Sequence, residues 1–139
     1  MIRLVIGGKG KGKTKILLDQ ANEAVKISNG NIVFVDKSSK HMYELNNKVR
    51  LIDTSNLPLK NADQFLGALC GILSQDHDIE KVYLDNFQKI SKTEESGLNE
   101  CLEECKSISE LFNVEFVIGV SVDKDAICER LQPMITIEC

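Results

Sequence analysis

The chain has 139 residues, 42% hydrophobic and 27% charged, the balance of one globular domain over residues 1–139 with a core of its own and no room for a second. A formal net charge of −4 leaves no positive surplus for a nucleic-acid or membrane-surface partner, and no run of about eighteen apolar residues is present to insert into a bilayer. Met1 opens directly into an apolar stretch without a charged leader, and the five cysteines lack the spacing of a disulfide scaffold, so the expected compartment is the cytoplasm.

In chain order, Ile2 to Ile6 reads as a short buried strand, and the apolar residues Ile16, Leu17, Ala21, Ala24 and Val25 give a helix that ends at Asn29-Gly30. Between them lies Gly7-Gly8-Lys9-Gly10-Lys11-Gly12-Lys13-Thr14, which fits the phosphate-binding pattern G-x-x-x-x-G-K-[ST] without a gap. Glycines let the backbone bend until successive N–H groups face one concavity, and the positive end of the following helix dipole faces the same point. In this pattern Lys13 reaches the β and γ phosphates, and the Thr14 hydroxyl takes a coordination position on Mg²⁺. The expected phosphate-binding segment is Gly7 to Lys15, with Lys9, Lys11 and Lys15 adding local positive charge to an acidic chain.

Asn31 to Asp36 reads as a second buried strand with a carboxylate at its end, and Val49 to Asp53 as a third, while the polar stretch 37–47 has no clear element. Asn61 has cap chemistry for a helix whose stripe is Phe65, Leu66, Leu69, Ile72 and Leu73. Lys81 to Asp85 is a fourth strand, again ending in a carboxylate. Ser91-Lys92-Thr93-Glu94 has capping-box spacing and predicts the start of the longest helix, with Leu98, Leu102, Cys105, Ile108 and Phe112 on one face. Cys101 and Cys105 share that face as small core residues, with a metal or redox pair as the alternative. Val114 to Val120 is a fifth strand, Asp123 caps a helix through Leu131, and Met134 to Ile137 is a last strand.

Strands alternating with helices, and strands that are apolar throughout, predict an α/β three-layer sandwich: a mostly parallel sheet with helices on both faces. Ligands of such sheets sit beyond the carboxyl ends of the strands, where the glycine-rich loop, Asp36, Asp85 and Ser121 would all lie. Val82-Tyr83-Leu84-Asp85 reads as a Walker B strand whose aspartate holds Mg²⁺ together with Thr14.

On the segments Leu84-Asp85-Asn86-Phe87-Gln88 and Leu111 to Asp125, together with the loop, the chain resembles the RecA-like division of P-loop NTPases, the group of RadA-type recombinases and replicative helicases. The resemblance implies ATP and Mg²⁺ as ligands, catalytic roles for Lys13 and Asp85, and Ser121 in the place of a γ-phosphate-sensing residue. It also implies an arginine from a neighbouring subunit, for which Arg130 is the best placed of Arg3, Arg50 and Arg130. The water-orienting glutamate of that group is missing: the region after the second strand has Asp36-Lys37-Ser38-Ser39, and Asn86 follows Asp85. Asp36 or Glu44 would have to substitute.

The expected function is therefore an ATP-binding protein with slow Mg²⁺-dependent hydrolysis, a nucleotide switch working with another protein or a second copy of itself. The sequence leaves the choice between ATP and GTP open. Two alternatives stand beside this. The loop is also similar to that of P-loop corrinoid adenosyltransferases, and a thymidine-kinase-type transferase is comparable, although an Asp-Glu pair is replaced by Asp85-Asn86. The missing glutamate equally suits a binding module that does not hydrolyse its nucleotide.

Overall fold

The computed structural model describes all 139 residues. Six strands, β1 (Ile2–Ile6), β2 (Asn31–Asp36), β3 (Arg50–Asp53), β4 (Ile79–Leu84), β5 (Glu115–Val120) and β6 (Ile135–Glu138), form one sheet in the order β3-β2-β4-β5-β1-β6. Every neighbouring pair is parallel, so each connection is a crossover and all carboxyl ends share one edge.

Period-two alternation within the strands sorts their side chains between two cores. Val33 and Val35 of β2, Val82 and Leu84 of β4, and Phe116, Ile118 and Val120 of β5 face the larger core. There they meet Phe65, Leu69 and Leu73 of the helix α2 (Ala62–Ser74). The same core takes Phe87 and Ile90 of the short α3 (Phe87–Ser91), and Leu98, Leu102 and Ile108 of α4 (Leu98–Phe112). The opposite face, with Val5, Ile32, Phe34, Tyr83 and Val117, is covered by α1 (Lys13–Ile27) through Leu17, Leu18, Ala21 and Ala24, and by Leu45 and Val49. Both faces are thus covered, which is why the central strands carry almost no polar residue.

Several boundaries differ from the sequence reading. The Ser91–Glu94 capping box does not form: Ser91 ends α3, its hydroxyl accepts from the Thr93 amide at 3.2 Å, and α4 begins only at Leu98 after a turn over Glu95–Gly97. Local turn chemistry wins there because Phe87 and Ile90 are fully buried and draw residues 87–91 onto the sheet as a separate helix. The helix expected from Asp123 to Leu131 is one short turn at Lys124–Ala126, with a second at Gln132–Met134. Only Ile127 and Leu131 of that segment are buried, too little apolar surface to hold a longer helix. Asn61 does cap α2, accepting from the Gln64 amide at 2.9 Å. Cys101 and Cys105 are both buried in the larger core. No helix is long and apolar enough to cross a membrane.

Candidate functional site

The glycine-lysine loop joins β1 to α1 at the carboxyl edge of the sheet. Gly7 has φ of +151°, and a Cβ there would lie 2.8 Å from Cys139 Cβ, because the Cys139 amide donates to the Ile6 carbonyl at 2.8 Å and brings the end of β6 against the loop. Gly12, at φ +92°, is the residue before α1 and supplies no side-chain cap, and the first turn of α1 has no acidic residue. The amides of that turn therefore keep their positive end directed outward, uncompensated by the protein.

Lys13 is only 8% exposed. Its ammonium folds back over the loop and donates to the Gly7 and Gly8 carbonyls, both at 2.8 Å. One residue on, the Thr14 hydroxyl donates to Asp85 Oδ2 at 2.9 Å. Asn86, at φ +52°, turns the chain into α3 and donates its side-chain amide to the same carboxylate oxygen at 3.2 Å.

The parity of the strands explains this meeting. Asp85 continues the Tyr83 face of β4, Asp36 the Phe34 face of β2, and Gly119 and Ser121 the Val117 face of β5, all of them the face covered by α1. The Asp85 amide also donates to the Val35 carbonyl at 3.0 Å, which sets the ends of β2 and β4 side by side. Burial pushes the Asp85 carboxyl above its ordinary value, the Thr14 hydrogen bond opposes that, and the Asp36 charge adds to it. Asp36 is 1% exposed. Its Oδ1 accepts from the Lys37 amide at 2.7 Å, while its Oδ2 is buried and has no hydrogen-bond partner in the protein.

Gly12, Lys13, Thr14, Asp85 and Asn86 border a polar cleft of ≈ 500 Å³ without a single hydrophobic wall residue, while Gly7, Gly8 and Asp36 lie behind its wall. Of the residues expected from sequence, Lys9, Gly10, Gly12, Lys13, Thr14, Asp85 and Ser121 line it. Ser121 is held by Gln88, which accepts from the Ser121 amide at 3.2 Å and donates to its carbonyl at 3.3 Å. Lys11 and Lys15 do not line it, and Lys15 reaches toward Asp19 on the next turn of α1 at 3.3 Å. Successive residues of a loop entering a helix point in different directions, so charge clustered in sequence is dispersed in space. Arg130 pairs with Glu103 at 2.9 Å and is not a cleft residue of its own chain.

Sequence reading missed Lys37, His41 and Lys89, which also line the cleft. Lys37 was signalled by its place just past a strand end, whereas His41 and Lys89 lie in segments whose path only the fold determines. Chemically, the cleft presents uncapped amides and ammonium groups for an anion beside the Thr14 hydroxyl and the Asp85 carboxylate for a cation. No group of three or more His, Cys, Asp or Glu side chains is arranged to hold a metal ion. A hydroxyl and one or two carboxylates suit Mg²⁺, which takes its remaining ligands from water and phosphate oxygens. No family model and no curated protein matches the chain.

Proposed function

We propose that the chain binds a nucleoside triphosphate with Mg²⁺ at this cleft and hydrolyses it slowly, as a RecA-like member of the P-loop NTPases. The observation that carries the reading is the Thr14–Asp85 hydrogen bond at the foot of an uncapped helix whose preceding loop holds the Lys13 ammonium. On this reading Thr14 belongs to a Walker A loop and Asp85 ends a Walker B strand, and their hydrogen bond supports it.

In this reading the triphosphate lies across the loop amides, and Lys13 exchanges the Gly7 and Gly8 carbonyls for phosphate oxygens. Thr14 and Asp85 would hold Mg²⁺, directly or through its water. The ion, when bound, offsets phosphate charge and favours in-line transfer. Ser121, fixed by Gln88, faces the cleft as a hydroxyl able to meet the terminal phosphate. Asp36 is the carboxylate with a free buried oxygen, and it is assigned the water-orienting role that Asn86 cannot fill. A carboxamide in that place and a base set to one side are consistent with slow turnover.

Calorimetry with Mg·ATP and Mg·GTP, alongside phosphate release, tests this. Saturable binding that Lys13→Ala abolishes is expected; no heat with either nucleotide, or equal binding by the variant, overturns it. The second reading, a nucleotide-dependent binding module, rests on Asn86 beside Asp85 and predicts binding without phosphate release.

A further inference from the structure

Beyond the loop cleft runs a second groove of ≈ 540 Å³ that shares Lys37 and Lys89 with it and continues to Lys60 and Lys92. Its remaining wall residues, Thr54, Ser55, Gln88 and Thr93, are all polar and uncharged. Lys15, Lys26, Lys81, Lys106 and Lys124 pair with a carboxylate; Lys37, Lys60, Lys89 and Lys92 make no ion pair, and neither do Lys9, Lys11, Lys13, Lys40 and Lys48, but only these first four line one groove outside the glycine-lysine loop. Four like charges around one polar groove repel one another unless an anion sits between them.

Two further observations point to a ligand. Thr54, a hydroxyl residue only 6% exposed, stands on the groove wall. Lys92 holds a left-handed conformation at φ +58°, ψ +21°, at the end of α3, a position where helices commonly place glycine. A lysine there costs backbone strain, and strained residues concentrate at binding sites.

We propose that this groove binds a second, small phosphorylated molecule, held by Lys37, Lys60, Lys89 and Lys92 with Thr54 as hydroxyl partner, beside and distinct from the loop cleft. Lysine ammonium groups suit the compact charge of phosphate. The groove has neither an aromatic nor an aliphatic wall residue, so it offers no platform for stacking the bases of a single strand. Its far end is closed to anions: Lys60, Lys92 and Thr93 border a neighbouring hollow walled by Asp63, Glu94, Glu100 and Glu104. That limits the ligand to a molecule about the length of the groove.

The test is calorimetric titration of the full chain with inorganic pyrophosphate. Two sites are expected, with Lys13→Ala removing one and Lys60→Ala/Lys92→Gly weakening the other by about tenfold or more. A single site lost only in Lys60→Ala/Lys92→Gly supports the groove while overturning the loop assignment. A single site lost only in Lys13→Ala overturns the groove. Tighter binding of an oligothymidylate that displaces pyrophosphate from the Lys60/Lys92 site also overturns it, in favour of a strand-binding surface. The Lys92→Gly single variant is expected to melt at a higher temperature and yet bind pyrophosphate less well at the groove. A lysine with no ligand would show the first change without the second.

Discussion

The Thr14 hydroxyl donates to Asp85 Oδ2 across 2.9 Å, joining the first turn of α1 to the end of β4 over 71 residues of sequence. Between their strands, β1 and β4, lies β5, and the contact passes over Gly119 of that strand. A Cβ at Gly119 would stand 3.4 Å from both Asp85 Oδ1 and Leu17 Cδ2. Gly119→Ala is therefore expected to put a methyl in van der Waals contact with the carboxylate and α1 and to change the stability of the ligand-free protein by less than about 1 kcal/mol. Denaturant unfolding with and without Mg·ATP checks this. A larger change with ligand than without is expected, because the carboxylate beside the methyl is the one assigned to the metal.

Asp85 sets a conflict between stability and binding. Burial, together with the Asp36 charge, raises its carboxyl above the ordinary 3.8, so the folded chain holds that proton more tightly than the unfolded one. The contribution to stability is then complete below 3.8 and is lost as pH rises from there through the raised value. Asp85→Asn removes the charge. It is expected to stabilise the ligand-free protein near neutrality by about 1 kcal/mol, to give no gain in acid, and to abolish Mg²⁺-dependent nucleotide binding. Urea unfolding at neutral and acid pH reads the sign directly.

Asp36 carries the proposed water-orienting role through its unpartnered Oδ2. Asp36→Asn keeps the shape and the bond to the Lys37 amide but removes the charge, so single-turnover phosphate release should fall about a hundredfold. The nucleotide dissociation constant should change little. Unchanged release removes Asp36 from the mechanism.

Lys13 is tied into the ligand-free loop as well as into the proposed binding. Lys13→Ala leaves the Gly7 and Gly8 carbonyls without their ammonium partner and is expected to cost about 1 kcal/mol in thermal unfolding. Loss of triphosphate affinity should be larger, about a hundredfold or more. The two effects separate cleanly, since the first is measured without nucleotide.

Gly7→Ala probes the packing beneath the loop. At φ +151°, with Cys139 Cβ only 2.8 Å from the added methyl, the substitution must displace the end of β6 and is expected to destabilise the fold by about 1–3 kcal/mol. Gly10→Ala is a useful partner because nothing lies within 4 Å of where its methyl would sit, leaving only the cost of its φ of +77°. A thermal melt of both variants distinguishes packing from backbone conformation.

The amino-acid sequence by itself determined the elements that local forces specify. The apolar runs of β1, β2, β4 and β5, the amphipathic α1 and α2 and the Asn61 cap follow from side-chain period and capping chemistry. The alternation of strands and helices also placed the loop, Asp36, Asp85 and Ser121 at one edge of the sheet, whereas their sharing one face depends on the register between strands. What the tertiary structure decided was everything set by burial against distant residues. Ser91 to Glu94 carries a valid capping signal that loses to the docking of Phe87 and Ile90, and the 123–131 segment lacks the apolar partners to become a helix. The insertion of β5 between β1 and β4, and the convergence of Lys37, His41 and Lys89, likewise depend on how crossovers pack. No residue's neighbours in sequence carry that information, since strand order is chosen by the sum of contacts across the whole sheet.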